Sequence, residues 1–409
     1  MTLSSRFELP GQIWSVAARH PSGPLYATCY GADPLETVVS AVDLSGRVHW
    51  QRACPGTGRP RSRLSRSGTL WLACPTDRGG RALEGIRPDG SVGRTVALVC
   101  EVGEEVASFV LLGDGFCVMW AGASPVLLPA GHQPSGVPRV ARYDGEGRCL
   151  WSTPIALGPV SHPGLLEMSA ETGWEVRPTA PREPSRVEAD HREPLLVSGD
   201  RIAAGFTDGS SGVGRTFFLD LDSGALVAAT HLAPSDRKAI AGSGEFLIGS
   251  HGYGECATRH FGRDGAERAR WACHGAMTVD GLGTVRGPGL SYSLVPSDGL
   301  RQPVSGHDLL GRSHGAGRYT SSPAVDSNGT VVFWRDDTLL AIDSDMALRE
   351  LFTAEGSAQV IGRTLLLDEG RVVQPLGNEM LVLGTDLATL ADGPWPCGDA
   401  NLLGNPVLE

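Results

Sequence analysis

The chain has 409 residues, 41% of them hydrophobic, with 55 glycines and 28 prolines spread along its length. That composition excludes a disordered chain and suits many short strands joined by many turns. The formal charge of −11 argues against a nucleic-acid partner, which needs a basic stripe, and no apolar run approaches the ~18 residues of a membrane-spanning helix.

Taken in order, the segments repeat one grammar. Val38 to Trp50, VVSAVDLSGRVHW, reads as two strands around Ser45-Gly46. The arginines Arg59, Arg61, Arg63 and Arg66, set among prolines and serines, read as a solvated loop. Arg63 to Cys74 and Leu83 to Leu98 read as strand pairs turning at Ser67-Gly68 and Asp89-Gly90. Further turns fall at Asp144-Gly145, Asp222-Ser223-Gly224, Ser243-Gly244, Asp264-Gly265 and Ser297-Asp298-Gly299. Only Pro163 to Thr172 has a pattern that could hold a short helix. The clearest unit, Tyr319 to Phe352, contains four strands, with a tight turn at Asp326-Ser327-Asn328-Gly329.

Units of ~40 residues with this turn chemistry predict an all-β fold, a single β-propeller of four-stranded blades over 1–409. Eight blades are expected, at about 12–54, 60–99, 105–156, 190–232, 237–273, 275–304, 319–352 and 357–392, with seven as the alternative because the sixth unit is short. Phe7-Glu8-Leu9 or the tail Leu402 to Leu408 is expected to close the ring, and 157–193 is expected to be a long loop insertion on one face.

AVDxxGxxxW at Ala41 to Trp50 and SSPAVDxNGTV at Ser321 to Val331 resemble the pyrroloquinoline-quinone-type propeller repeat, shared by quinoprotein dehydrogenases and outer-membrane assembly lipoproteins of the BamB type. The family's turn tryptophan recurs as Trp50 and Trp151, with Trp271 near the equivalent place, and these are expected to lock blade to blade. The resemblance implies the scaffold only. The dehydrogenases use adjacent cysteines, calcium ligands and a catalytic aspartate, and no such set is recognisable here, so bound pyrroloquinoline quinone is not expected. The nine cysteines show no metal-ligand spacing, and with no recognisable signal peptide a cytoplasmic location is expected.

Within each blade the turns joining strands one to two and three to four share a face and are tight. The connections elsewhere, including Tyr30 to Glu36, Pro75 to Arg81, Ala121 to Pro138, Thr207 to Arg215, Ser250 to Cys256 and Val304 to Arg318, are longer and share the other face. His132, His162, His191, His251, His274, His307 and His314 map to that second face, and the SHGxG phrase occurs at both Ser250 to Gly254 and Ser313 to Gly317. Glycines beside a histidine let the backbone approach a ligand closely. His251, Glu255, His274 and His314 are the candidate ligands of a divalent metal. His251, His314 and Tyr319 are the candidate catalytic acid–base groups. No GxSxG elbow or phosphate-binding GxxxxGK[ST] is present. Two functions follow: a scaffold binding a protein or peptide partner on the long-loop face, or a propeller enzyme, such as a metal-assisted lyase, hydrolase or cyclase, acting on a small-molecule ligand at the channel mouth.

Overall fold

The computed structural model describes residues 2–31, 36–55, 62–76, 79–101, 104–122, 137–161, 165–169, 173–177, 180–190, 193–252, 255–271, 277–287, 290–293, 321–335, 337–345, 347–354 and 362–409. The described elements are strands, apart from one 3-10 turn at Asp368–Gly370. They form an all-β, single β-propeller of antiparallel meanders.

The first blade is built from Ile13–Ala18, Leu25–Tyr30, Glu36–Val42 and Val48–Pro55. The second is built from Ser62–Leu64, Leu70–Pro75, Arg81–Ile86 and Val92–Leu98, and the third from Glu104–Leu111, Gly115–Gly122, Arg139–Asp144 and Cys149–Pro154. The fourth is a ten-stranded sheet. Its first half holds Val187–Ala189, Leu195–Ser198, Arg201–Asp208, Val213–Asp220 and Leu226–Ala229; its second holds Ala233–Gly242, Glu245–Gly252, Glu255–Phe261 and Glu267–Trp271. Val407–Leu408 adds the last strand of that sheet, in parallel. A three-stranded sheet of Thr278–Val279, Thr284–Gly287 and Leu290–Ser293 follows. The fifth blade is Ala324–Val325, Val331–Arg335, Thr338–Ile342 and Leu348–Thr353. In the closing blade, Leu365–Leu366, Arg371–Leu376 and Glu379–Gly384 are completed by the N-terminal strand Thr2–Glu8.

The expectation of eight blades, or seven, is therefore corrected: among the described residues six blades reach four strands or more, five of them four-stranded and one ten-stranded. Counting turn-delimited units missed two things. The units at 190–232 and 237–273 are hydrogen-bonded into one sheet where Val213 pairs with Pro234 and Gly214 with Ala233. The unit at 275–304 supplies only three strands among the described residues. Of the two ring-closing segments, the N-terminal one pairs with Glu379–Gly384, Phe7 lying opposite Met380 and Glu8 opposite Glu379.

Inner strands are apolar on both faces because neighbouring blades cover both. Val331–Arg335 is buried at every position, whereas the outer strand Cys149–Pro154 alternates exposed and half-buried. The core consists of interblade layers. Ile13, Val16, Leu25 and Val42 of the first blade pack on Leu365, Val373, Met380 and Val382 of the closing blade. Leu83, Val96 and Leu98 of the second pack on Phe109, Phe116 and Trp120 of the third.

Aspartates set the tight turns. Asp43 Oδ1 accepts the amides of Ser45 at 2.8 Å and Arg47 at 2.9 Å, and Asp144 and Asp326 cap their turns in the same way. The tryptophans then latch one blade to the next. Trp50 Nε1 of the first blade donates to the Pro88 carbonyl of the second at 2.7 Å. Trp151 Nε1 of the third donates to the Leu221 carbonyl of the fourth at 3.0 Å. Gly90 has φ 85, and a Cβ there would lie 2.8 Å from the Trp50 ring. Only glycine combines that backbone with that contact. The side chain of Trp271 lies outside the described residues.

The segment Pro163 to Thr172 is not helical where described: Leu165–Ser169 pairs with Gly173–Arg177 as a hairpin. Val187–Ala189 likewise pairs with Arg201–Asp208, so part of the 157–193 segment is strand. Two connections are shorter than the sequence suggests, because strands run to Asp208 and Gly252 and resume at Val213 and Glu255.

Candidate functional site

The two mouths of the propeller differ, and the difference begins with a tail that reads as featureless. After Gly384 the chain crosses the ends of the first strands on the tight-turn face. Trp395 and Val279 exchange backbone hydrogen bonds of 2.7 and 3.1 Å, and Val325 donates to the Pro396 carbonyl at 2.8 Å. Ala18, Leu64 and Val197 donate to the carbonyls of Leu402, Leu403 and Pro406 at 2.9, 3.1 and 3.0 Å. The Asn405 side chain accepts the Leu111 amide and donates to the Leu111 carbonyl, both at 2.9 Å. Trp395, Cys397 and Ala400 are buried there, and burial pushes the Cys397 thiol up to about 11.

Two buried arginines staple this tail. Arg363 donates through Nε to the Val16 carbonyl at 2.9 Å, through Nη2 to Leu402 at 2.9 Å, and through Nη1 to the carbonyls of Gly398 and Asn401. Arg63 donates to the Phe109 carbonyl at 3.0 Å and to Gly404, and pairs with Asp399 at 3.3 Å. The sequence reading placed Arg63 both in a solvated arginine cluster and at the start of a strand; the strand is present as Ser62–Leu64, and the residue is buried in it rather than solvated. Desolvation holds its guanidinium below the ordinary value, opposed by Asp399. The tight-turn mouth is thus occupied by the chain's own backbone.

The opposite face carries a cleft between the two halves of the fourth blade. It is lined by Gly214, Arg215, Thr216, Thr230 and His231 from the first half, and by Ala233, Pro234, Ile248, Gly249, Ser250, Arg259 and Phe261 from the second, and encloses about 300 Å³ including its open mouth. The Val213–Pro234 and Gly214–Ala233 pairs bridge its walls. Phe218 stacks on Phe246 and meets Phe261 in a tilted pair, with ring centroids 5.8 and 5.2 Å apart, and joins the two halves. Arg259 is buried, with Nη1 donating to Ser250 Oγ at 2.9 Å and Nε 3.5 Å from Glu267. The Thr216 amide donates to Thr230 Oγ1 at 3.0 Å, and Arg215 Nη1 donates to the Thr230 carbonyl at 3.2 Å.

Near this cleft, Asp208 pins the 157–193 segment to the same face. Its carboxylate accepts from Arg182 Nη2 at 2.8 Å, the Ser185 amide at 2.8 Å and the hydroxyls of Ser185, Ser210 and Ser211 at 2.9, 2.8 and 2.7 Å. Burial raises the Asp208 pKa, but the hydroxyl hydrogen bonds from Ser211, Ser210 and Ser185 together outweigh it, and the carboxyl stays well below the usual range.

Of the residues selected on sequence, His251 and Glu255 lie on the backbone of one hairpin, His251 opposite Cys256 and Gly252 opposite Glu255, directly after the cleft residue Ser250. Their side chains, and His274, His314 and Tyr319 altogether, lie outside the described residues, as do His132, His162, His191 and His307. Among the described residues no three His, Cys, Asp or Glu side chains group as metal ligands. Sequence reasoning missed Arg215 and Arg259. The available signal was an arginine inside an otherwise apolar-alternating strand, as in Glu255–Phe261, where a cation implies a polar wall.

No family model matches the chain, and no curated protein matches it. Among solved structures it is similar to the Dos1 propeller, at 12% identity over 96% of this chain and 97% of that one, with a TM-score of 0.44. It is also similar to the β-propeller domain of Cps50 (Swd1) from Myceliophteria thermophila, at 13% identity over 94% and 99% of the two chains, TM-score 0.47. A third is a catalytically inactive virginiamycin B lyase from Staphylococcus aureus with quinupristin, at 11% identity over 92% and 98%, TM-score 0.40. The likeness concerns the propeller fold alone, and it does not establish the quinoprotein or BamB-type family suggested by the repeats.

Proposed function

We propose that this protein is a binding propeller that receives a protein or peptide partner on its long-connection face, in the cytoplasm. The observation that carries the reading is the asymmetry of the mouths: the segment from Trp395 to Leu408 bonds to the ends of the first strands on the tight-turn side, which leaves the other side for ligands. Connections on a rigid ring are where recognition resides, because they vary without disturbing the blades. The described cysteines, Cys29, Cys54, Cys74, Cys100, Cys117, Cys149 and Cys397, are free thiols, which suits a reducing compartment. Among the described residues no helix is long and apolar enough to cross a membrane.

A photo-crosslinking residue tests the sidedness. Placed in living cells at exposed His231, beside the cleft, it should yield a discrete protein adduct; placed at exposed Ser45, on the opposite face, it should not. Adducts from Ser45 equal to or stronger than those from His231 would refute the reading.

A further inference from the structure

The chain has four asparagines, and their surroundings set one of them apart. Asn401 and Asn405 are tied down: Asn401 Nδ2 donates to the Asn405 carbonyl at 2.8 Å, and the Asn405 side chain is bonded to both the amide and the carbonyl of Leu111. Asn378 is exposed, but bulky Glu379 follows it, held by the fork of Arg6. Asn328 alone is followed by glycine. It is exposed at the tip of the turn from Asp326 to Thr330, and among the described residues its carboxamide is not hydrogen-bonded. Gly329 has no Cβ to keep its nitrogen away from that carboxamide. The same turn is a joint. Asp326 Oδ2 accepts the Ala388 amide at 3.0 Å, and the Ser327 amide donates to the Thr389 carbonyl at 2.8 Å, so the C-terminal tail is seated here. The Gly329 carbonyl also accepts Arg286 Nη1 of the preceding three-stranded sheet.

We propose that Asn328 is a site of spontaneous deamidation, and that its isoaspartate product unseats the tail where it meets the fifth blade. The Gly329 nitrogen gives up its proton to solvent and attacks Asn328 Cγ. The Cγ–Nδ2 bond then breaks, and ammonia leaves with a proton taken from solvent, closing a five-membered imide. Water opens that ring. Cleavage at the side-chain carbonyl gives aspartate, and cleavage at the main-chain carbonyl gives isoaspartate, whose backbone runs through Cβ and Cγ. One water is taken up and one ammonia released. The Gly329 amide donates to the Asp326 carbonyl at 2.8 Å in the closed turn, so the reaction draws on local opening of this exposed tip. The product has one more main-chain carbon and one more negative charge. Both oppose reclosure: Asp326 Oδ1 accepts the amides of residues 328 and 330 at a fixed spacing, and the new carboxylate repels that of Asp326. Ala388 depends on the same Asp326 carboxylate, so it is released with the turn.

Incubating the full chain in warm, mildly alkaline buffer tests it, followed by mass-spectrometric peptide mapping and amide hydrogen exchange. A gain of about 1 Da at Asn328 is expected, faster as pH rises, with Asn378 slower by about tenfold and no gain at Asn401 or Asn405. Asn328→Gln, a change at an exposed tip, should abolish the gain, because its ring would need six members. In the modified fraction the amides of Ser327 and Ala388 should exchange about tenfold faster than in fresh protein, while those of Ser45 and Arg47, held by Asp43 in the first blade, keep their rate. The proposal is overturned if Asn328 gains mass only in urea, if Asn378 reacts as fast, or if Ser327 and Ala388 exchange no faster once Asn328 is modified.

Discussion

Lys238 is the only lysine of the chain, and it is buried in an ion pair with Asp190. Gly205 makes the room: a Cβ there would lie 2.8 Å from Lys238 Nζ. Removing Lys238 takes a buried counter-charge from Asp190, so Lys238→Met should lower unfolding stability by about 3–5 kcal/mol in urea denaturation. Asp190→Leu combined with Lys238→Met should lose much less, because both buried ions are then gone; equal losses would contradict the pairing. Asp208 gives a pH-dependent counterpart. Its folded pKa lies below the ordinary value, so its stabilisation is fully present above the unfolded value of about 3.9 and is lost as pH falls from there toward the folded value. Asp208→Asn should lower stability at neutral pH and flatten the acid limb of a stability-versus-pH curve, and an unchanged slope would count against this account. None of this was legible beforehand. A buried Arg63 and the neighbouring residues of the run RPRSRLSR look alike as letters, and only the strand Ser62–Leu64 separates them.

Elements were more legible, and for a local reason. An aspartate accepting amides two and four residues on, followed by a glycine at positive φ, is a self-contained turn, so Asp43 to Arg47 and Asp326 to Thr330 declare themselves without any tertiary context. The interblade role of Trp50 was legible from the same repeat. Trp50→Phe keeps an aromatic ring, though a smaller one, but loses the hydrogen bond to Pro88, and should cost about 1 kcal/mol. Gly90→Ala, strained by φ 85 and by the indole at 2.8 Å, should cost about 1–3 kcal/mol. Denaturation of both variants checks the order, and a larger loss for the phenylalanine would reverse the argument. The stretch Pro163 to Thr172 failed because a short apolar run fits a helix or a strand equally well, and the pairing of Leu165–Ser169 with Gly173–Arg177 decided it.

At the scale of the whole molecule, local turn chemistry stops being informative. It marks where hairpins fall but not where sheets end, so it could not show that Val213–Gly214 and Ala233–Pro234 merge two units into one ten-stranded sheet. The cleft was hidden for the same reason, since it lies where two consecutive units join, and the turns do not mark that joint. The tail was hidden because GPWPCGDANLLGNPVLE carries no period; its carbonyls answer amides contributed by separate blades, among them Ala18, Leu64 and Val197. That tail closing one mouth is the claim on which the sidedness of binding depends. Amide hydrogen exchange of the intact protein tests it most directly, at Ala18, Leu64, Val197, Val279 and Val325, whose N–H groups donate to tail carbonyls. Protection matching that of amides within the blades is predicted; exchange at the rate of free, unbonded amides would mean that the mouth stands open.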